Sequence, residues 1–217
     1  MHVKKLDSGL YFITDRALSR NGIDEDVKAA IRGGVRVVQY REKSLSKARM
    51  IAEAKELAAI CGRAGVVFIV NDNVDVAIAS GADGVHLGPG DTPVAEARKL
   101  LGPGKIIGAT ASSVADAKKL ERAGANYIGL SPIFATPTKR DAGHPIGLAA
   151  IKEARKSLRI PFVAIGGINR ANLESVLKAG AKNVCMISAI LKAENVEREV
   201  MEIRRIMHEH PAGKGKE

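Results

Sequence analysis

Residues 64–73 read AGVVFIVNDN, and this stretch decides the fold. A glycine closes a helix-compatible run, an apolar run follows, and the chain then turns to short polar side chains. Glycine at a helix end reaches the left-handed conformation that lets the chain turn into a strand. An uninterrupted apolar run such as VVFIV at 66–70 is what a strand shows when both faces of its sheet are covered, the condition of a parallel sheet. Asn71, Asp72 and Asn73 then fall where the strand stops and the next helix begins.

The same unit recurs in both directions. Alanine, serine or glycine beside glycine marks further joints at 33–35, 80–82, 123–125 and 179–181. Apolar runs at 10–14, 35–40, 84–87, 105–109, 127–130, 162–165 and 183–187 predict seven more strands. Helices are expected over 24–32, from an N-cap at Ser46 to Gly62 or Gly65, over 74–80, 93–101, about 113–123, 148–158 and 169–179, and in a last segment ending near His208. Eight strand–helix units predict an α/β protein, a (β/α)8 barrel of the TIM type. It is expected to form one domain over residues 1–217, with a short basic tail from about 211. A doubly wound open sheet also alternates, but no glycine-rich dinucleotide turn follows the first strand.

Composition narrows the function classes. The 217 residues are 46% hydrophobic and 27% charged, as in a soluble globular protein, and the chain is long enough to bury a substantial core. No apolar run approaches the roughly 18–20 residues of a membrane span, so no membrane partner and a cytoplasmic location are expected. Cys61 and Cys185 have no metal-ligand spacing and read as buried, reduced thiols. The net charge of +10 suits an anionic partner. Much of it lies on helix faces, at residues such as Lys47, Lys55, Lys118 and Lys152, so a solvated surface is expected rather than a nucleic-acid site. Aromatics are only 3% with no tryptophan, which argues against base-stacking platforms.

A barrel of this kind keeps its active site at the C-terminal ends of its strands. That rule selects 39–43, 71–73, 86–91, 109–111, the loop after 130, 166–168 and 188–190. Asp72 and Asp91 are single carboxylates at neighbouring strand ends; paired carboxylates with phosphate oxygens suit Mg²⁺, while helix capping is the alternative for each. Arg41, Lys43 and Lys139 bring cations that suit a diphosphate, with a surface ion pair to Glu42 as the alternative. Gly166, Gly167 and Ser188 match the phosphate site that barrels form after strands seven and eight.

Residues 127–141, YIGLSPIFATPTKRD, pass from strand to a loop whose Thr136, Thr138, Lys139 and Arg140 suit an oxygen-rich anion. The segment 137–145 is expected to act as a lid that orders on binding. His86 reads as a packed, hydrogen-bonded residue rather than a base, His144 as a loop residue and Met186 as barrel core.

With these residues in place, the sequence resembles the thiamine-phosphate synthase family over about residues 11–190. The motifs are QYREK (39–43), ND (71–72), SGADGVHLG with Asp91 following, YIGLSPIFATPTK (127–139), AIGGI (164–168) and MISAI (186–190). The resemblance implies a transferase that joins an aminopyrimidine diphosphate to hydroxyethylthiazole phosphate, releasing diphosphate from a stabilised carbocation. It implies a pyrimidine-diphosphate site of Gln39, Tyr40, Arg41, Glu42 and Lys43 with Asn71, Thr110 and Lys139. Arg41, Lys43, Lys139 and Thr110 would be its catalytic members. Thr136, Pro137, Thr138, Gly167, Ile187 and Ser188 would hold the thiazole phosphate, and Asp72 and Asp91 would hold Mg²⁺. The partners implied are small phosphorylated substrates, with a homo-oligomer left open.

The sequence departs from the family pattern at Thr110 (usually serine), Ser112-Ser113 (often His-Thr), Pro89 (often glutamine) and Tyr40 (usually leucine). A thiazole tautomerase-like enzyme or a regulatory thiazole-phosphate binder on the same barrel are the alternatives. Neither needs the diphosphate cations and both aspartates.

Overall fold

The computed structural model describes residues 9–138 and 143–212. Eight parallel strands close into a barrel in sequence order: β1 (Gly9–Ile13), β2 (Val37–Tyr40), β3 (Val67–Asn71), β4 (Gly84–Leu87), β5 (Ile106–Ala111), β6 (Tyr127–Leu130), β7 (Phe162–Ile165) and β8 (Asn183–Cys185). The pairing of Gly9 with Asn183 and of Tyr11 with Cys185 closes the ring. Around it run α1 (Ile23–Gly33), α2 (Lys47–Arg63), α3 (Val74–Ser80), α4 (Val94–Leu101), α5 (Val114–Arg122), α6 (Gly147–Ser157), α7 (Arg170–Lys178), α8 (Ser188–Leu191) and α9 (Val196–Glu209).

The joints behave as the sequence predicts. Gly34, Gly65, Gly81, Gly124 and Gly180 all take positive φ, between 67° and 111°, where a side chain would be strained. Ser46 caps α2, its side chain accepting from Arg49 N. Expected and observed spans coincide for α3, β4, β6 and β7. The last unit differs. β8 stops at Cys185 rather than 187, because Ile187 already has α-region dihedrals and opens the one-turn helix α8. The chain therefore ends in two helices after β8 rather than one.

Alternation along the strands divides the apolar residues into two sets. Phe12, Val38, Phe68, Val85, Ile107, Ile128 and Val184 face outward and pack beneath the helices as one large core. Tyr11, Ile13, Val37, Val67, Ile69, Ile106, Tyr127, Val163 and Cys185 fill the barrel itself. Fully buried side chains such as Phe12 and Ile107 contribute roughly 1.5–3 kcal/mol each. Three interior glycines make room for larger neighbours. A Cβ on Gly108 would lie 2.1 Å from Tyr127 Cζ, one on Gly129 2.9 Å from His86 Cε1, and one on Gly84 2.0 Å from Ile106 O.

Candidate active site

A cavity of about 540 Å³ opens at the C-terminal ends of the strands. Gln39, Arg41, Lys43, Asn71, Asp72, Asp91 and Thr110 line one side of it. Thr136, Pro137, Thr138, Gly167, Ile187 and Ser188 line the other. Lys139 and Arg140, and with them the tip of the expected lid, fall outside the described residues. His144 is exposed.

The carboxylate side is built by two tight turns. Asp72 sits at φ 61°, a left-handed conformation that aspartate tolerates better than most residues, and its N–H donates to His86 O at 2.7 Å. The helix-capping alternative does not hold for either aspartate. Asn73 caps α3 by accepting from Val76 N, and the cap position of α4 is Pro93, which makes no side-chain cap bond. Asp91 Oδ2 instead accepts from Gly88 N at 2.6 Å, which holds the carboxylate at the rim. Burial, then the adjoining Asp72 carboxylate, pushes the Asp91 carboxyl above its ordinary range, while Lys43 works against the shift. The Lys43 ammonium pairs with Asp72 Oδ2.

A cation would relieve the repulsion between the two carboxylates, which Lys43 already eases at Asp72. Their oxygen-only donor set fits Mg²⁺, which takes one or two carboxylates and completes its shell with water and phosphate oxygens. Among the described residues no cluster of three or more His, Cys, Asp or Glu could form an all-protein cage.

Arg41 is oriented from β1. Its N–H donates to Thr14 Oγ1 at 2.9 Å, and Nη1 donates to Asp15 Oδ2 at 2.9 Å. Tyr40 and Glu42 are not in the cavity, contrary to the sequence expectation. Tyr40 points outward and donates its hydroxyl to Glu53 Oε2 at 2.6 Å. Glu42 is buried beneath the loop, where Oε1 accepts from Lys43 N at 2.8 Å, Ser44 N at 2.6 Å and Ser44 Oγ at 2.6 Å. Its other oxygen, Oε2, takes Nε of Arg16. Glu42 therefore fixes the loop rather than touching a ligand there.

The opposite side is a cradle of backbone. Gly166 and Gly167 have φ of 100° and 63°, and their missing side chains let the loop after β6 pack directly against them. A Cβ on Gly167 would lie 2.5 Å from Ala135 O, and one on Gly166 2.7 Å from Pro132 Cβ. Ile133 N and Phe134 N donate across this contact to Ile165 O and Gly166 O. The N–H of Thr138 donates to Thr136 Oγ1 at 3.3 Å, which folds the threonine loop toward the cavity rim. α8 begins at Ser188, so the N–H groups of its first residues lack intrahelical acceptors and suit an anion.

Between the two sides lies a polar floor. His86, only 5% exposed, has Nδ1 2.9 Å from the Tyr127 hydroxyl and Nε2 2.9 Å from Thr110 Oγ1. The sequence reading of His86 as packed and hydrogen-bonded holds, but it also lines the cavity. Met186 is likewise both core and cavity wall. Sequence reasoning missed Tyr11, inside the apolar run of β1, and Thr14, Asp15 and Arg16, whose signal was their place just after the first strand.

Fold and cavity together define a (β/α)8 barrel with a cavity at its strand C-termini, lined by cationic, carboxylate and hydroxyl side chains. The chain belongs to the thiamine monophosphate synthase family, whose model matches residues 10–190. It is 48% identical to the thiamine-phosphate synthase of Methanosarcina barkeri, across 91% of this chain and 88% of that one. It is also 48% identical to the enzyme of that name from Chloroflexus aurantiacus, across 93% and 94%. A solved thiamine phosphate pyrophosphorylase from Pyrococcus furiosus superposes with a TM-score of 0.86 at 40% identity, covering 92% of this chain and 95% of that one. A 3-hexulose-6-phosphate synthase, at 19% identity and a TM-score of 0.65, shares the fold alone.

Proposed function

We propose that the protein is a thiamine-phosphate synthase, joining 4-amino-2-methyl-5-hydroxymethylpyrimidine diphosphate to hydroxyethylthiazole phosphate. The observation that carries this reading is the pair of unlike anion sites facing each other across one cavity. Arg41 and Lys43 beside two aspartates suit a diphosphate with its metal; the glycine cradle and the start of α8 suit a single phosphate. The family and its relatives of the same name support the choice of substrates.

In this reading the carbon–oxygen bond to diphosphate breaks first, and the leaving group takes the electron pair. The methylene carbocation is stabilised by the electron-rich aminopyrimidine. The thiazole nitrogen then donates its lone pair to that carbon, giving thiamine monophosphate and diphosphate. Arg41 and Lys43, with Lys139, neutralise the charge that grows on the leaving group; Asp15 holds the Arg41 guanidinium in advance, and the Lys43 ammonium exchanges its Asp72 partner for the diphosphate. Thr110 and Asn71 orient the diphosphate end and Gln39 the pyrimidine. Thr136, Thr138, Gly167 and Ser188 hold the thiazole phosphate so that its nitrogen faces the carbon. Asp72 and Asp91 would hold Mg²⁺, which when bound supplies further charge neutralisation to the diphosphate. The buried thiols of Cys61 and Cys185, not joined in a disulfide, suit a reducing, cytoplasmic setting.

The deciding experiment measures diphosphate release with both substrates and Mg²⁺ present and with each omitted in turn. Release that needs all three, matched by thiamine monophosphate, is the expected result. Binding of thiazole phosphate with no release of diphosphate would leave a tautomerase-like enzyme or a regulatory binder instead.

A further inference from the structure

Beneath the cavity floor, five side chains form one hydrogen-bond chain across the barrel core. Gln39 Nε2 donates to the Tyr11 hydroxyl at 2.9 Å, and that hydroxyl lies 2.7 Å from the hydroxyl of Tyr127. His86 continues the chain, Nδ1 to Tyr127 and Nε2 to Thr110 Oγ1, both at 2.9 Å. The two ends, Gln39 on β2 and Thr110 on β5, line the cavity, while Tyr11 and Tyr127 are sealed in the core. Burial pushes both phenols well above their ordinary range, so each keeps its proton. A phenol has one proton to give, and a neutral imidazole has one N–H and one lone pair. With these contacts and a neutral imidazole, the chain runs in one of two polarities, with every proton pointing toward Thr110 or every proton pointing toward Gln39. What one end offers a ligand is fixed by what the other end offers.

We propose that this chain is a polarised relay running from Gln39 to Thr110, in which Tyr11, Tyr127 and His86 are positioning residues. Gln39 donates through Nε2, which leaves its carbonyl oxygen as the acceptor available to a ligand. Tyr11 donates to Tyr127, Tyr127 donates to His86 Nδ1, and His86 carries its proton on Nε2 and donates to Thr110. Thr110 then keeps its own proton to donate into the cavity. The opposite polarity would turn the amide over and present the lone pairs of Thr110 to the same space. In the proposed reaction the ligand beside Arg41 and Lys43 is a diphosphate, and an anionic oxygen needs a donor at Thr110.

The relay thus selects a heteroaromatic ring that carries an exocyclic N–H donor at one end and an anionic oxygen at the other. This ligand class rests on the proposed aminopyrimidine diphosphate reaction. An otherwise identical ring with an oxo group in place of the amino group would set acceptor against acceptor at Gln39.

Two measurements on the full chain test the relay. The first is ¹⁵N NMR of histidine-labelled protein at neutral pH, with the His86 signals assigned by their loss in His86→Asn. A neutral ring protonated on Nε2 is expected; a proton on Nδ1, or on both nitrogens, overturns the relay. The second compares kcat/KM for the aminopyrimidine diphosphate and its oxo counterpart in wild type, Tyr11→Phe and Tyr127→Phe. Each phenylalanine removes one link without reaching the cavity, and the preference for the amino ring is expected to fall about tenfold, the worth of one hydrogen bond. Losses equal for both rings, with the preference unchanged, would show that the phenols only fill space. If wild type releases no diphosphate from the amino substrate, the proposed reaction fails, while the histidine tautomer still decides the relay.

Discussion

Arg16 reaches from the end of β1 to Glu42, its Nε bound to Glu42 Oε2 while Nη2 holds both oxygens of Glu53 at 2.6 Å. This ties β1, the loop after β2 and α2 together directly behind Arg41 and Lys43. Glu42 is 2% exposed at its side chain, so removing it leaves Arg16 Nε and several loop N–H groups without their acceptor, while Glu53 still holds Nη2. Glu42→Ala is expected to cost on the order of 2–3 kcal/mol of stability, discounted from a fully buried pair because Arg16 is 41% exposed. It should also raise KM for the diphosphate substrate at least several-fold, since the loop backbone that carries both cations loses its anchor. Urea unfolding with steady-state kinetics checks both, and an unchanged KM would show that the cations hold position without Glu42.

The same carboxylate makes stability depend on pH in a defined direction. Burial alone would raise the Glu42 carboxyl, but the Ser44 hydroxyl, the Arg16 guanidinium and the Ser44 N–H outweigh it and hold it down at about 2, from 4.5. The folded state therefore favours the carboxylate. The stabilisation is complete above the unfolded value near 4.5 and is lost as pH falls from there toward 2. Its size is on the order of 3 kcal/mol. Unfolding free energies of wild type and Glu42→Gln, measured from about pH 6 to about pH 3, are expected to converge on the acid side. A gap that stays constant would assign the acid loss to other carboxylates.

Asp91→Ala should leave the barrel standing and remove most of the activity. The carboxylate sits half-buried at the rim and gives up the 2.6 Å bond from Gly88 N. Loss of that bond costs about 1 kcal/mol. Metal dependence should weaken far more than stability, because one of two oxygen donors is gone. Mg²⁺ titrations of diphosphate release and a thermal melt separate the two effects. Normal turnover at saturating Mg²⁺ would rule out Asp91 as a ligand.

The barrel was legible in the sequence because each strand–helix unit carries its own signals, an apolar run and a glycine joint, and neither depends on distant residues. The cavity was legible for the same reason, since the rule about strand C-termini converts chain position into place. Its supports were not. Arg16 with Glu42 and Arg41 with Asp15 join segments 26 residues apart, and pairings of that kind leave no local pattern. Tyr40 and Glu42 were assigned to the cavity although period-two alternation was available: with Gln39 and Arg41 facing in, Tyr40 must face out. The core relay was hidden by composition, because Tyr11 and Tyr127 sit in apolar runs where an aromatic ring reads as packing alone.

Gly129→Ala tests how closely the floor of the site depends on empty space. Gly129 does not have positive φ, so alanine adds no backbone strain, and the only new atom is the Cβ. That atom would lie 2.9 Å from His86 Cε1, 3.3 Å from His86 Nε2 and 3.3 Å from Ile165 Cδ1. The imidazole must shift by a few tenths of an ångström, which stretches its contact with Thr110 while the fold adjusts at a cost of about 1–3 kcal/mol. Gly108→Ala is expected to be worse, since its Cβ would meet the Tyr127 ring at 2.1–2.4 Å and a sealed phenol has no room to retreat. Thermal unfolding should therefore rank wild type above Gly129→Ala and Gly129→Ala above Gly108→Ala. Activity of Gly129→Ala should fall by more than its stability loss explains at a temperature where it is fully folded. Full activity there would mean that the position of His86 does not matter to the reaction.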